Sequence, residues 1–238
     1  MIKLWHDDCM KRLKDISPES IDLICTDPPY RVTARGNAGN SGGMLQNKQS
    51  MQGKIFEHND IDPAEYAPEL YRVLKDGSHC YVMCNHTNLI YIYMLNTFTS
   101  CGFHFIKSLI WDKGNKIMGQ YYMSQFEYIL FFRKGRGKKI NNCGTADILS
   151  IANKKTKEGS KNVHDTEKPV QLMQILIENS TQAGETVLDP FMGIGSTGSA
   201  AVFSGRSFIG IEIDDKYFSY AKARIKDAVQ NKTVGTSD

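Results

Sequence analysis

Residues 186–201 read Thr-Val-Leu-Asp-Pro-Phe-Met-Gly-Ile-Gly-Ser-Thr-Gly-Ser-Ala-Ala, and this stretch decides the fold: an apolar strand, a glycine-rich turn and the start of a helix. Gly193, Gly195 and Gly198 match the G-x-G-x-x-G pattern that binds nucleotides between a strand and a helix. Glu212 ends the next predicted strand, where a carboxylate can accept hydrogen bonds from ribose hydroxyls. The pattern predicts a site for an adenosine-containing ligand. The alternative is that the glycines only allow tight packing of the helix against the strand.

Short β-rich runs alternate with helical patterns on both sides of this stretch, as in a parallel sheet with crossover helices. The chain has 238 residues, 41% of them hydrophobic, which is enough for one substantial core. We therefore predict a single α/β domain spanning residues 1–238, with a mobile loop at 31–60, where Gly, Asn and Gln are frequent. The predicted strands cover 2–6, 21–25, 79–84, 103–111, 126–132, 186–189 and 207–212.

A second informative stretch, Thr26-Asp-Pro-Pro-Tyr30, follows the apolar run at 21–25. Open α/β sheets bind their ligands at such carboxyl ends of strands. The prolines lack an N–H, so the turn is stiff and its carbonyls stay available as acceptors. Asp27 adds a further acceptor, and Tyr30 adds a flat aromatic face. Together they predict a pocket for a planar group with an exocyclic amine, such as a nucleobase; a proline-rich turn with a packed tyrosine is the alternative.

The glycines alone do not identify the ligand of the glycine-rich turn. A dinucleotide cofactor would fit them, and an NAD(P)-linked oxidoreductase is therefore an alternative function. However, Asp189 would place a carboxylate next to the pyrophosphate of a bound dinucleotide, and the two negative charges would repel each other. That carboxylate suits a cation instead, such as the amino group of a cofactor that contains an amino acid. The oxidoreductase would also leave residues 27–30 without a role.

Charge is unevenly distributed along the chain. The formal net charge is +3, but residues 131–168 contain ten Lys or Arg and only four Asp or Glu. A basic stretch in a nearly neutral protein predicts an edge that binds a polyanion. The alternative is a solvated loop that lysines keep soluble.

Metal, membrane and export signals are weak in this sequence. The six cysteines form no Cys-x-x-Cys pair, and no His stands at zinc spacing, so we predict no metal site. The amino terminus reads as a strand rather than a signal peptide, and no apolar run approaches the length of a membrane span. We therefore expect a cytoplasmic protein.

The combination of Asp27-Pro-Pro-Tyr30 with Asp189-Pro-Phe-x-Gly-x-Gly195 resembles the S-adenosylmethionine-dependent amino-methyltransferases of DNA. Because Asp-Pro-Pro-Tyr precedes the glycine motif, the order resembles that of the β-class, whose members methylate N6 of adenine or N4 of cytosine. Further matches lie at 6–9, 70–77, 164–169 and 208–212, so the resemblance runs nearly end to end. The chain departs from the family in its short basic region at 133–163, where target recognition is expected, and in Asp76-Gly77, where Pro-Gly is common.

The resemblance implies a Rossmann-like methyltransferase fold with a circularly permuted order of motifs. It implies a seven-stranded, mostly parallel sheet with helices on both faces and the strand at 126–132 antiparallel. Asp27 and Gly193 would then lie at the carboxyl ends of adjacent strands, facing one crevice. The implied cofactor is S-adenosylmethionine, without a metal. The implied cofactor-binding residues are Asp8, Cys9, His164, Thr166, Lys168, Asp189, Phe191, Gly193, Gly195, Ser196, Thr197, Glu212 and Ile213.

The same resemblance implies that Asp27, Pro28, Pro29 and Tyr30 form the catalytic pocket. The Asp27 side chain and the Pro28 carbonyl would accept the two amino hydrogens of a flipped base, and Tyr30 would stack on it. We predict adenine N6 as the target because the motif begins with Asp, whereas N4-cytosine members more often carry Ser. Methylation of cytosine N4, an RNA substrate and a DNA-binding module without catalysis remain alternatives.

Double-stranded DNA is the implied partner, bound by the loop at 31–60 and the basic region at 133–163. A homodimer and a cognate restriction endonuclease are further partners by family analogy alone. For each single residue, a solvated side chain is the alternative. The candidate DNA-binding residues are Arg31, Arg35, Lys48, Arg133, Lys134, Arg136, Lys138 and Lys139.

Overall fold

The computed structural model describes residues 1–29, 61–85, 90–117, 122–153, 156–158, 161–162 and 167–234. The loop predicted at 31–60 lies outside these residues, and so does part of the basic region at 133–163. Within the described ranges, no helix is both long and apolar enough to cross a membrane.

Helices and strands alternate along most of the chain. In order they are β1 (Ile2–His6), α1 (Cys9–Leu13), β2 (Ile21–Thr26), α2 (Pro63–Val73), β3 (Leu74–Cys84), α3 (Ile90–Ser100), β4 (His104–Ile117), β5 (Ser124–Arg133), β6 (Ile148–Ser150), β7 (Lys157–Glu158), β8 (Lys161–Asn162), α4 (Val170–Ser180), β9 (Thr186–Asp189), α5 (Ser196–Phe203), β10 (Ser207–Glu212) and α6 (Asp215–Val234).

Eight strands form the main sheet, in the order β1-β10-β9-β2-β3-β5-β4-β6. Only β5 runs antiparallel to its neighbours β3 and β4, which confirms the predicted direction of that strand. All seven predicted strands are present. The eighth, β6, corrects the predicted count: it is three residues long and pairs with the outer side of β4. The short strands β7 and β8 pair with each other in a separate two-stranded sheet.

In the centre of the sheet, the permuted order places β2, from the amino-terminal part of the chain, beside β9, from the carboxyl-terminal part. β2 pairs in parallel with β9, with Leu23 opposite Val187 and Ile24 opposite Leu188. Because parallel neighbours end at the same edge, the residues that follow β2 and β9 share one edge of the sheet. This confirms the expected adjacency of the strands that precede Asp27 and the glycine-rich turn. We call this edge the carboxyl edge.

The sheet separates two hydrophobic cores, and helices cover both of its faces as predicted. The side chains of Leu23, Ile24 and Cys25 alternate between the two cores, as in a regular strand, whereas Ile21 departs from this alternation where the pairing of β2 with β3 is irregular. Leu23 and Cys25 pack on the side of α4, α5 and α6. Ile21 and Ile24 pack on the side of α1, α2 and α3. Every residue of β2 is buried, as expected for a central strand of a parallel sheet covered on both faces.

β3 begins earlier than the predicted strand at 79–84. Its pairing with β2 jumps from Leu74, opposite Ile21, to His79, opposite Leu23. The residues between them form a bulge, and Gly77 adopts φ +74° there. Asp76-Gly77 therefore lies within an irregular strand. Glycine suits this backbone because L-residues rarely adopt a positive φ.

Candidate active site

A buried carboxylate ties the ends of β2 and β9 together at the carboxyl edge. Asp189, the last residue of β9, is only 3% exposed. Its Oδ1 accepts a hydrogen bond from the Thr26 hydroxyl at 2.7 Å, and its Oδ2 accepts one from the Thr197 hydroxyl at 2.6 Å. The Phe191 N–H also donates to Oδ1, at 3.2 Å. Asp189 therefore joins β2, β9 and the first turn of α5.

In this arrangement Asp189 contacts the protein's own donors, and the predicted contact with a cofactor's amino group stays a prediction. Burial raises the pKa of Asp189 to about 6, although the hydrogen bonds from Thr197, Thr26 and Phe191 oppose the shift. Both carboxylate oxygens are engaged with the protein's own donors. Asp189 thus positions the glycine-rich turn relative to the residues that follow β2.

The glycine-rich turn has the backbone that its first two glycines allow. Gly193 adopts φ +51° and Gly195 adopts φ +81°, both in the left-handed region that favours glycine. Glu212 closes the turn, because its Oε2 accepts a hydrogen bond from the Gly193 N–H at 2.9 Å. Its Oε1 accepts one from the Asp214 N–H at 2.8 Å. Burial raises the pKa of Glu212, with these backbone donors opposing the shift.

Gly198, the third glycine of the motif, serves packing. A Cβ at this position would lie 2.3 Å from Cδ1 of Ile225 and 2.8 Å from Cε1 of Phe208. The absence of a side chain therefore lets α5 approach α6 and β10 closely. The packing explanation offered as an alternative for the whole motif is correct for this glycine, whereas Gly193 and Gly195 shape the turn itself.

Other predicted cofactor residues surround Glu212. β1 pairs with β10 in parallel, with His6 opposite Glu212, so Asp8 follows at the same edge. The Asp8 side chain caps α1 by accepting a backbone hydrogen bond at 2.7 Å. Cys9 is buried, and burial raises the pKa of its thiol to about 12. Ile213 keeps 43% of its surface exposed, and so presents an apolar side chain next to Glu212.

Arg224 of α6 anchors the segment before α4 to the glycine-rich turn. Its guanidinium donates to the Ser196 hydroxyl at 3.1 Å and pairs with Glu167 at 2.7 Å. Glu167 is buried and accepts hydrogen bonds from the Thr156 N–H at 2.6 Å and the Thr156 hydroxyl at 2.9 Å. The predicted cofactor residue Ser196 therefore has a partner within the protein. Glu167, in turn, fixes the residue next to it, Lys168.

Asp27, which follows β2 directly, belongs to a row of four alternating charges. The Lys168 ammonium donates to Oδ2 of Asp27 and lies 3.4 Å from Oε2 of Glu127. Oε1 of Glu127 accepts a hydrogen bond from the Lys113 ammonium at 3.2 Å. We call Lys113, Glu127, Lys168 and Asp27 the ion-pair chain. Lys168, a predicted cofactor residue, thus contacts Asp27 directly.

Burial and charge act in opposite directions on the pKa values of this chain. Burial raises the pKa of Asp27, and Lys168 reverses only part of that shift. Burial alone would lower the pKa of Lys168, but Asp27 and Glu127 outweigh it and raise the pKa. Burial alone would raise the pKa of Glu127, but Lys168 and Lys113 outweigh it and lower the pKa. Lys168 is therefore held as an ammonium and Glu127 as a carboxylate.

One protein family matches most of this chain. The model of the N6/N4 methyltransferase family, described as DNA methylase, matches residues 21–223. The matched region contains both Asp27 and the glycine-rich turn. The chain belongs to the N6/N4 DNA methylase family.

Individual relatives extend over nearly the whole methylase. The Type II methyltransferase M2.DpnII of Streptococcus pneumoniae is 29% identical over 250 residues, covering 97% of this chain and 91% of that protein. The crystal structure of the M1.HpyAVI–SAM complex has a TM-score of 0.70 and 26% identity, covering 94% of this chain and 100% of that chain. The PvuII DNA methyltransferase, described as cytosine-N4-specific, has a TM-score of 0.72 at 16% identity, covering 98% and 93%, and so shares the fold alone.

Sequence reasoning missed four residues that shape this site in the methylase. Glu127 carried a signal, since it is the one charged residue in the apolar run Phe126–Phe132. A lone acid within a buried strand is uncommon unless it is paired. Lys113, Glu167 and Arg224 carried no comparable signal, because their partners are distant in sequence. Some predicted site residues lie outside the described residues: Tyr30, Arg31, Arg35, Lys48, His164 and Thr166.

The first part of the basic region lies at the opposite edge of the sheet. β5 runs antiparallel to β3, so Tyr128 is opposite Cys84 near the carboxyl edge and Arg133 is opposite His79 at the far edge. These two positions are roughly 17 Å apart along the strand. A cleft of about 430 Å³ at the far edge is lined by acids as well as bases, including Arg136. The structure therefore separates Arg133, Arg136, Lys138 and Lys139 from the carboxyl edge.

Lys134, predicted to contact DNA, is engaged within the protein. The residue is only 7% exposed, and its ammonium donates to the carbonyls of Tyr71 at 2.9 Å and Leu74 at 2.8 Å. It also pairs with Glu19 at 3.2 Å. Lys134 thus fastens the end of β5 to the start of β3. In the sequence, nothing distinguishes Lys134 from the exposed lysines that follow it.

Among the residues whose positions are described, no group of three or more His, Cys, Asp or Glu side chains could hold a metal ion. The acids of the carboxyl edge are engaged by lysines, hydroxyls and backbone N–H groups.

Proposed function

We propose that this methylase transfers a methyl group from S-adenosylmethionine to N6 of an adenine flipped out of duplex DNA. One observation carries the proposal. Asp27, a carboxylate that can accept hydrogen bonds from an amine, follows β2, while the glycine-rich turn follows its neighbour β9. The hydrogen bond from Thr26 to Asp189 fixes these two sites relative to each other.

The residues around Glu212 fit the proposed cofactor. Glu212 supplies a carboxylate that can accept hydrogen bonds from the ribose hydroxyls, next to the left-handed turn at Gly193. The exposed side chain of Ile213 supplies an apolar surface for the adenine ring. Of the similar structures, that of M1.HpyAVI is described as a complex with this molecule. When bound, S-adenosylmethionine supplies an electrophilic methyl group on a sulfonium; its methyl–sulfur bond breaks as the nitrogen–methyl bond forms, S-adenosylhomocysteine leaves, and the amine loses one proton.

The protein's own residues prepare the amine that accepts this methyl group. The lone pair of an adenine amino group is delocalised into the ring, so the nitrogen is a weak nucleophile. Asp27 and the Pro28 carbonyl would accept the two amino hydrogens and direct the lone pair towards the methyl donor. Pro29 keeps the turn stiff, and Tyr30 would stack on the flipped base. The main contribution is alignment of the two reactants, which can account for much of the rate.

Nucleoside analysis tests the proposed target atom. We expect purified protein, duplex DNA and S-adenosylmethionine to yield N6-methyladenine on digestion and mass spectrometry. The basis is the Asp at the first position of the motif, where N4-cytosine enzymes of the class more often carry Ser. N4-methylcytosine as the sole product would overturn the adenine assignment. Preferential methylation of single-stranded RNA in competition with duplex DNA would overturn the assignment of duplex DNA.

We propose that DNA approaches the carboxyl edge and contacts the arm formed by β4 and β5. These strands continue past Asp112 as a hairpin arm, in which Ile117 pairs with Ser124. On this arm Lys116 is exposed, and Tyr122 and Met123 are 93% and 56% exposed. β6 also brings the chain to this edge, since it is parallel to the end of β4. The target-recognition part of 133–163 is thus proposed to begin at β6.

A matched pair of charge reversals tests this orientation. Lys116→Glu is expected to weaken duplex binding about 10-fold and to reduce its salt dependence, because one phosphate contact is lost. Lys139→Glu, an exposed change at the far edge, is expected to leave the Kd within about twofold. Fluorescence anisotropy with a labelled duplex at several salt concentrations measures both. A larger loss for Lys139→Glu would place the DNA on the far edge instead.

The remaining expectations stand as proposals. A homodimer and a cognate restriction endonuclease are proposed from the family, as is a cytoplasmic location. We also propose that residues 1–238 act as one methyltransferase domain, since the sheet takes strands from both parts of the chain.

A further inference from the structure

Glu127 reaches Asp27 because of the direction of β5. The antiparallel strand starts at the carboxyl edge, so its early residues lie there, with Glu127 opposite Trp111 of β4. The side chain is 22% exposed, between Lys113 at 7% and Lys168 at 6%. A carboxylate from an otherwise apolar strand thus enters the site that the two sequence motifs form. Neither motif contains it.

The order of charges shows what Glu127 does there. Lys168 has a carboxylate on each side, Asp27 and Glu127, and Lys113 balances the second one. Without Glu127 the ion-pair chain would hold two ammonium groups, those of Lys113 and Lys168, and a single carboxylate, that of Asp27. Burying unbalanced charge is unfavourable, so each member keeps its neighbours in place. The position of the Lys168 ammonium therefore depends on Glu127 as well as on Asp27.

This position matters for the proposed reaction, on which the inference rests. Lys168 occupies one oxygen of Asp27 in the structure, whereas a target amine must donate a hydrogen to that same carboxylate. An ammonium that is also attracted by Glu127 can give up part of its contact with Asp27 without losing all its partners. We infer that Glu127 is a positioning residue of the methyl transfer reaction, holding Lys168 so that Asp27 can accept the target amine.

The test compares Glu127→Gln with the wild-type protein. Glutamine keeps the size of the side chain and removes its charge. We expect the single-turnover rate constant, at saturating duplex and S-adenosylmethionine, to fall about 10- to 100-fold, since small misplacements at a reacting centre have effects of this size. Glu127→Asp should recover part of the rate. Because Lys168 is also a predicted cofactor residue, a higher Kd for S-adenosylmethionine with an unchanged saturating rate would assign Glu127 to cofactor binding instead. Asp15→Asn, which removes an exposed partner of Arg12 and lies outside every residue assigned to the site, is the matched control and should retain the wild-type rate.

A second variant separates positioning from charge balance alone. Lys113→Met combined with Glu127→Gln removes one charge of each sign, so the remaining pair of Lys168 and Asp27 is balanced. We expect this double variant to unfold at nearly the wild-type temperature but to transfer methyl groups as slowly as Glu127→Gln. If Glu127→Gln does not fold, the double variant supplies the comparison.

Two results would overturn the inference: a wild-type rate for Glu127→Gln, or recovery of the rate together with stability in the double variant. Failure of the proposed function itself would look different. In that case the wild-type protein would form no methylated base from duplex DNA. A wild-type protein that methylates while Glu127→Gln matches its rate would refute only the role of Glu127.

Discussion

Asp27→Ala is expected to lower the rate of methyl transfer at least about 10³-fold while S-adenosylmethionine still binds. The variant loses the carboxylate that aligns the target amine, an effect comparable to removing a polar group that stabilises a transition state directly. Asp27 is not among the predicted cofactor residues. Single-turnover kinetics and calorimetry with the cofactor measure the two quantities separately. A rate within tenfold of wild type would remove Asp27 from the catalytic pocket.

Asp27→Asn is the matched control for shape. The amide has nearly the same size but only one acceptor oxygen, and its NH₂ group faces Lys168 or the target amine as a donor. We therefore expect it to be about as inactive as Asp27→Ala. The folded state should tolerate both changes, because Lys168 keeps Glu127 as a partner at 3.4 Å. A loss of about 1–3 kcal/mol in the free energy of unfolding is the expected size for removing one buried polar partner.

Glu212→Ala is expected to weaken the binding of S-adenosylmethionine, whereas Asp27→Ala is expected to slow the methyl transfer itself. The variant removes both the proposed acceptor for the ribose hydroxyls and the group that accepts the Gly193 N–H at 2.9 Å. Charge-assisted hydrogen bonds of this kind are worth about 1.5–3 kcal/mol each, so the Kd for S-adenosylmethionine should rise about 10- to 100-fold. Calorimetry without DNA measures this Kd directly.

Asp215→Ala is the control for the loss of an acid near the same strand end. Its side chain is 90% exposed and lies 3.9 Å from Nδ1 of His6, so the cofactor Kd should not change. If Glu212→Ala bound S-adenosylmethionine as tightly as Asp215→Ala does, the cofactor would have to lie elsewhere. The variants at Asp27 and Glu212 therefore test the amine pocket and the cofactor pocket independently.

The local motifs were predictable because their chemistry is contained in a few adjacent residues. Gly193 and Gly195 need only their own backbone torsions to form the turn, and Asp27 needs only the end of β2. The predicted antiparallel direction of the strand at 126–132 was also correct. Because of this direction, Glu127 lies near the carboxyl edge and Arg133 lies at the far edge. The basic residues after 133 were predicted to bind DNA from their charge alone, without regard to the edge at which β5 ends.

Contacts between distant parts of the chain were harder to predict. The partners of Glu127 come from β4 and from the segment before α4, and no spacing in the sequence joins them. The role of Asp189 depended on Thr26, which is 163 residues away. β6 was missed because three residues are too short for a recognisable pattern, and pairing with β4 rather than propensity stabilises them. These features depend on tertiary packing, which sequence periodicity does not report.

The most direct test of the central claim is to map modified bases in DNA from a methylase-deficient host that expresses this protein. The account predicts N6-methyladenine at one recurring short sequence, and its absence when the host expresses Asp27→Ala at the same protein level. N4-methylcytosine at the mapped positions, or modification that persists with Asp27→Ala, would contradict the claim that the carboxyl edge of β2 holds a flipped adenine.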